Sequence, residues 1–127
     1  PLSPSAQDQA IKKKLISFGL PPSCHFLEVK LGRLPLELAG SKLYIGNDTG
    51  LKHLAIALGV KTLSFFGPEP PLEWHPYNKE KHPYFFLEDL ECRTREGHYC
   101  GLSQCKTMDC LKIFSPEDVF NKISDLL

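Results

Sequence analysis

The residues best suited to chemistry lie in one short stretch, Asn47-Asp48-Thr49-Gly50-Leu51-Lys52-His53. A helix start exposes about four unpaired backbone N–H groups and roughly half a positive charge, which together suit a phosphate. Gly50 lets an oxygen approach the backbone, and the Thr49 hydroxyl either caps the helix or donates to a ligand. The Asp48 carboxylate suits neutral hydroxyls, such as those of a sugar, because it accepts hydrogen bonds.

Two further side chains lie in the first turn of the predicted helix. His53 is close enough to reach the same ligand. Lys52 either adds positive charge near a phosphate or points to solvent, because helix geometry turns its side chain about 100° from its neighbour. A second interpretation of the stretch is that Asp48 and Thr49 only cap the helix and that His53 is a surface residue.

Apolar patterns place this stretch between a strand and a helix. They predict strands at residues 25–29, 42–45 and 61–66, and helices near residues 5–18, 34–39 and 51–58. Gly19 and Gly59 follow two of these helices and are typical of helix ends. Strands that alternate with helices predict an α/β fold with a parallel sheet and helices on both faces. The turn then lies at the carboxyl end of a strand, the usual ligand crevice of such sheets.

Composition excludes several partners. Fifteen basic and fifteen acidic side chains balance, with a sequence pI near 7.3, so no overall field attracts nucleic acid. No apolar stretch approaches the roughly 18 residues that span a bilayer, and no signal peptide opens the chain. We therefore expect a soluble cytoplasmic protein with at most peripheral membrane contact. At 127 residues the chain suits one domain, and no cofactor is predicted.

Four cysteines lie close together in a segment spanning residues 91–111: Cys92, Cys100, Cys105 and Cys110. With His98 among them they are weak candidates for a zinc site, which takes four thiolate or imidazole ligands. However, seven, four and four residues separate them, and no pair has the C-x2-C spacing typical of zinc sites. Disulfides are disfavoured in the cytosol. We predict structural thiols, reduced or adventitiously bridged, and no metal.

The sequence pattern of the last segment, residues 115–127, predicts a helix. Ser115 is a good N-cap and Pro116 suits the first helical position. Val119, Phe120 and Ile123 are expected to face the core.

The stretch from Gly46 to Val60, followed by Thr62-Leu63-Ser64-Phe65-Phe66-Gly67-Pro68, resembles the nucleotide-sugar-binding half of the ADP-heptose:lipopolysaccharide heptosyltransferases. These enzymes carry D-[S/T]-G-x-x-H-x-A-x-A-x-G and then a strand that ends in F-G-P. The resemblance begins near Leu31 and continues to the terminal helix.

This resemblance implies the C-terminal half of a two-domain GT-B glycosyltransferase, with residues 1–127 forming a single, partial Rossmann-like domain of three layers. The donor would be ADP-heptose and the acceptor the lipopolysaccharide inner core. The other domain would supply the acceptor site and the catalytic base at the cytoplasmic face of the inner membrane, so the chain alone is expected to be inactive.

In that mechanism Thr49 and Gly50 hold the diphosphate and Asp48 orients the sugar. His53 supports the phosphate or its leaving charge, and Lys52 adds to this. The segment at Val29 lines the adenine pocket through backbone groups, unless it is a simple loop.

Two alternatives remain open at this stage. One is another nucleotide-sugar transferase or an epimerase, which would share the turn but need a different sugar pocket. The other is a non-enzymatic interaction module organised by the cysteines, in which the turn is only a helix cap.

Overall fold

The chain contains a small parallel sheet whose strands alternate with helices, as predicted. The computed structural model describes residues 6–93, 100 and 105–127. Within them, three strands lie in the order β1-β2-β3: β1 (Leu43–Asn47), β2 (Lys61–Phe65) and β3 (Tyr84–Phe85). The described helices are α1 (Ala6–Ser17), α2 (Leu34–Ala39), α3 (Gly50–Ala57), α4 (Pro71–Trp74), α5 (Asp109–Lys112) and α6 (Pro116–Leu126), with a 3-10 turn at Leu31–Arg33. All strand pairs are parallel, as α/β connections require.

The chain divides into two compact units, Pro1–Leu34 and Pro35–Leu127. In the first unit, Gly19 follows the end of α1, and its φ of +74° is costly for residues with a side chain. The Lys12 ammonium donates to the Glu28 carboxylate over 2.7 Å, which links α1 to the segment that follows it. This exposed pair lowers the pKa of Glu28.

The helices predicted at residues 5–18, 34–39 and 51–58 and the strands predicted at 42–45 and 61–66 are confirmed within one or two residues. The strand predicted at residues 25–29 is wrong, because that segment forms no strand. An apolar run becomes a strand only where a neighbouring strand supplies ladder hydrogen bonds. The described sheet contains only β1, β2 and β3.

The core of the second unit is centred on β2. Thr62, Leu63 and Ser64 are fully buried there, because β2 is the middle strand. Gly59, with φ +77°, ends α3 in a Schellman motif: its N–H donates to Ile56 over 2.9 Å, and the next N–H donates to Ala55 over 3.0 Å. This motif stops α3 and directs the chain into β2.

Successive side chains of a strand point to opposite faces, and this places helices on both sides of the sheet. Phe66 packs on the α3 side, with its ring centre 4.7 Å from the Lys52 ammonium. Phe65 packs on the other side, with its ring 6.1 Å from that of Phe114, just before α6. Around β2, α3 therefore lies on one side of the sheet, and the segment that leads into α6 packs on the other.

An apolar cleft of about 500 Å³ opens on the α6 side of the sheet. It is lined by Asn47, Phe65, Leu111, Phe114, Pro116, Val119, Phe120 and Ile123. The predicted cap of α6 is confirmed, since the Ser115 Oγ accepts from the Asp118 N–H over 3.1 Å. The expectation that Phe120 faces the core is wrong. Phe120 is 66% exposed and Leu126 is buried instead, because α6 rests on the sheet only along one narrow side.

None of the described helices is long and apolar enough to cross a bilayer.

Candidate functional site

The candidate site is the turn between β1 and α3 at the carboxyl edge of the sheet. The Asp48 N–H donates to the Phe65 carbonyl over 3.2 Å, so the turn continues the β1–β2 ladder for one residue. Thr49 has an extended backbone, with φ −147° and ψ 167°, and α3 begins at Gly50. The strand thus fixes where the helix starts.

The Thr49 hydroxyl lies at the start of α3 without capping it. Thr49 occupies the N-cap position but makes no side-chain capping bond. Its hydroxyl lies 3.5 Å from the Tyr44 hydroxyl, at the outer limit of a hydrogen bond. The interpretation that Thr49 only caps the helix is therefore wrong, and the amides of the first turn lack a side-chain acceptor at this position.

Gly50 faces open space. A Cβ built on Gly50 meets no heavy atom within 4 Å, and its φ is not in the left-handed region. Neither packing nor backbone conformation therefore requires glycine here. The remaining physical reason for glycine is access, because a side chain at the start of α3 would cover the amides that suit an anion.

Asp48 and Lys52 form an ion pair beneath the turn. The Lys52 ammonium donates to Asp48 Oδ1 over 2.5 Å and to the Trp74 carbonyl over 2.7 Å. The Lys52 side chain is 0% exposed and that of Asp48 is 18% exposed. The expectation that Lys52 could point to solvent is therefore wrong, and of this pair only Asp48 reaches the surface.

His53 is held by Tyr77. Its Nδ1 lies 2.7 Å from the Tyr77 hydroxyl oxygen, and its Nε2 lies 3.8 Å from Asp48 Oδ1. The second distance is longer than a hydrogen bond. When Tyr77 donates to Nδ1, the ring proton sits on Nε2 and remains available to a ligand oxygen.

Several causes act on the protonation of His53. Burial lowers its pKa below the ordinary value of 6.5, the Lys52 ammonium lowers it further, and the Asp48 carboxylate opposes both. The neutral ring is therefore favoured in the folded protein. A neutral His53 acts toward a phosphate as a hydrogen-bond donor.

His75 forms the inner wall of the same region. It is 5% exposed, and its Nε2 lies 2.7 Å from the His82 carbonyl oxygen. Its ring packs against the edges or faces of Phe66, Tyr77 and Tyr84, with centroids 5.0 to 5.7 Å apart. Burial is the largest cause that lowers the pKa of His75, so this aromatic wall also favours a neutral imidazole.

Arg93, which the sequence did not single out, fastens the neighbouring loops. Its guanidinium donates to three backbone carbonyls: Leu87 over 2.9 Å, Pro68 over 2.9 Å and Gly67 over 2.8 Å. It also lies 4.3 Å from the ring centre of Phe86. Arg93 thus joins the loops that leave β2 and β3. Only the fork of five donors in arginine hints at such a role.

Three cysteines of the 91–111 segment, Cys92, Cys105 and Cys110, carry free thiols. Among the described residues, no three His, Cys, Asp or Glu side chains are grouped so as to hold a metal ion. The Met108 N–H donates to the Cys105 sulfur over 3.2 Å, and this bond is the largest cause that lowers the pKa of Cys105. Burial raises the pKa of Cys110. His98 lies outside the described residues.

Val29, predicted to line an adenine pocket, is partly exposed in the first unit and lies in the segment that forms no strand. Its predicted role in nucleotide recognition stays a prediction.

A parallel sheet with an open strand-to-helix turn at its carboxyl edge is the arrangement in which open α/β domains place their ligand crevice. Residues 4–102 match the model of glycosyltransferase family 9 (heptosyltransferase), and the chain belongs to this family.

Curated relatives agree with this family. A lipooligosaccharide heptosyltransferase 2 of Campylobacter jejuni subsp. jejuni, serotype O:2, is 33% identical over 91 residues, which cover 72% of this chain and 27% of that protein. A lipopolysaccharide heptosyltransferase 1 of Pseudomonas aeruginosa is 41% identical over 56 residues, 44% of this chain and 16% of that protein. The chain therefore spans about a quarter or less of the relatives it matches. No solved structure matches it.

Proposed function

We propose that this chain binds the donor nucleotide sugar, ADP-heptose, for a heptosyltransferase that acts on the inner core of lipopolysaccharide. The open β1–α3 turn is the observation that carries the proposal. It combines a helix start without a side-chain capping bond, an exposed Thr49 and an unobstructed Gly50. Membership of the heptosyltransferase family supports the choice of donor and acceptor.

Each part of the turn has a role in this function. The amides at the start of α3 and the Thr49 hydroxyl bind the diphosphate, and the Asp48 carboxylate accepts hydrogen bonds from the sugar hydroxyls. As ADP leaves, its negative charge grows on the phosphate beside Thr49 and His53. Donors placed there in advance lower the barrier. The catalytic base and the acceptor site belong to a second domain of a GT-B enzyme at the cytoplasmic face of the inner membrane.

Gly50→Ala tests the anion site with little effect on folding. The new methyl group meets open space and favours the helix, yet it covers the amides that would bind the diphosphate. We expect ADP affinity, measured by titration calorimetry, to fall about tenfold or more while the melting temperature stays the same or rises. Gly40→Ala is the matched control, because a Cβ at Gly40 also meets open space. Equal affinity in both variants would contradict the assignment.

A panel of nucleotides tests the donor. ADP should bind more tightly than UDP or GDP, and ADP-heptose more tightly than ADP. Asp48→Asn should abolish the advantage of ADP-heptose over ADP, since a neutral amide is a poorer partner for sugar hydroxyls. Asp125→Asn, on the exposed surface of α6, should leave that advantage unchanged. Preference for UDP would instead favour a different nucleotide-sugar transferase or an epimerase.

A further inference from the structure

The Lys52 ammonium is enclosed inside the second unit. Its side chain is 0% exposed, and it donates to Asp48 and to the Trp74 carbonyl. The Phe66 ring centre lies 4.7 Å from the nitrogen and the Tyr77 ring centre 5.9 Å from it. A buried ammonium is strongly unfavourable unless it is paired and hydrogen-bonded. Here an anion, a carbonyl and two aromatic faces provide that compensation.

The Lys52–Asp48 ion pair reduces electrostatic repulsion between Asp48 and an anionic ligand at the turn. Asp48 lies immediately before Thr49 and Gly50, so an uncompensated carboxylate would repel the diphosphate that those residues suit. Lys52 touches one carboxylate oxygen, Oδ1. The pair as a whole is neutral, while Asp48 keeps an exposed portion.

We propose that Lys52 is a positioning residue of the donor site, which neutralises Asp48 and fixes its carboxylate so that one turn accepts both a diphosphate and sugar hydroxyls. This inference rests on the proposed function. Lys52 does not touch the ligand, because its ammonium is covered by Asp48, Phe66 and the Trp74 carbonyl. It acts through Asp48.

The same ammonium also joins two parts of the site. Through the Trp74 carbonyl it holds the segment that leads to Tyr77, and Tyr77 in turn holds His53. Lys52 therefore orients Asp48 directly, and it orients His53 indirectly, through the segment that carries Tyr77.

Three variants separate the possible roles of Lys52, with inorganic pyrophosphate as the probe of the anion site. Lys52→Met keeps the volume and removes the charge, so it should weaken pyrophosphate binding about 10- to 100-fold. Asp48→Asn should bind pyrophosphate at least as tightly as the unmodified protein. The double variant Lys52→Met/Asp48→Asn should restore affinity to within about threefold, because it removes both charges. Its preference for ADP-heptose over ADP should stay lost.

The titration of His53 supplies a readout that needs no ligand. The charged groups that act on His53 are Lys52, which lowers its pKa, and Asp48, which raises it. NMR titration of His53 should therefore show a higher pKa in Lys52→Met. Lys61→Met is the matched control, because the Lys61 ammonium also donates to a backbone carbonyl, that of Leu126, but lies at the amino end of β2. It should leave both pyrophosphate binding and the His53 titration unchanged.

Two results would overturn the inference. Unchanged pyrophosphate affinity in Lys52→Met would show that Lys52 only fills space, and a double variant as weak as Lys52→Met would show direct contact with the anion. The proposed function fails separately, if the unmodified protein binds pyrophosphate but shows no preference for ADP-heptose. In that case the pyrophosphate series still decides the role of Lys52.

Discussion

The Nδ1 of His53 lies 2.7 Å from the hydroxyl oxygen of Tyr77, 24 positions further along the chain. This contact connects the first turn of α3 to the segment that follows α4. The Lys52 ammonium also lies over the Tyr77 ring. One aromatic side chain therefore contacts both Lys52 and His53, the two α3 residues that approach Asp48. The start of α3, where the candidate site lies, is therefore supported by a segment whose sequence carries no recognisable motif.

Replacing Tyr77 with Phe tests this support. The variant keeps the ring and removes the bond to His53, so we expect a loss of stability of about 1 kcal/mol. His53 loses its fixed orientation, and ADP affinity should fall several-fold. Urea unfolding and calorimetry measure the two effects. Tyr84→Phe removes a hydroxyl from a neighbouring aromatic residue and serves as the control for ADP affinity.

Acid should weaken the folded state through its histidines. His53, His75 and His82 each have a pKa lowered below 6.5, chiefly by burial. Below about pH 6.5 the unfolded chain therefore binds more protons than the folded protein. The free energy of unfolding decreases as the pH is lowered, until the pH is below the histidine pKa values of the folded state. Urea unfolding between pH 7.5 and 5 should show this decline. His75→Gln keeps a side-chain donor and should have a shallower pH dependence; an equal slope would contradict the contribution of His75.

Gly46 allows Tyr44 to fold across β1. A Cβ at Gly46 would lie 2.5 Å from the Tyr44 hydroxyl oxygen and 2.9 Å from the ring carbon that carries it. Gly46→Ala should therefore displace the ring, cost about 1 to 3 kcal/mol and disturb the contact with Thr49. The double variant with Tyr44→Ala should recover part of this loss. Additive losses in a thermal unfolding cycle would show that the ring is not the obstacle.

Arg93→Met removes the donors to three backbone carbonyls, two of which are partly buried. We expect a loss of about 2 kcal/mol or more, together with faster amide hydrogen exchange in the loops after β2 and β3. Arg93→Lys should not restore stability, because a single ammonium cannot reproduce the guanidinium fork. Arg33→Met changes an exposed arginine of the first unit and should leave those loops unaffected. Full rescue by lysine would show that charge alone matters.

The sequence predicted elements whose signals are local. Gly59 placed the end of α3, and Ser115 with Pro116 placed the start of α6, because caps depend on neighbouring residues. Prediction from sequence failed where a residue distant in the chain determines the local structure. Residues 25–29 have the composition of a strand but form none, and the three acceptors of Arg93 lie 6 to 26 positions away.

The candidate site shows the same division. Thr49 and Gly50 were recognised from their place between a strand and a helix. The burial of Lys52 was not, because its ion pair with Asp48 follows helical spacing but its enclosure depends on Phe66, Trp74 and Tyr77. Helical geometry alone leaves the direction of a lysine undecided when the covering groups come from elsewhere in the chain.

The three hydrogen bonds of Arg93 in the loops that it joins go to main-chain oxygens. Any residue at positions 67, 68 or 87 presents such an oxygen, so these bonds place no direct demand on the side chains there. As far as these bonds are concerned, the side chains at the three positions can therefore change while the main-chain path stays in place. Within this small domain, the path of these loops and the identity of their side chains can therefore vary separately.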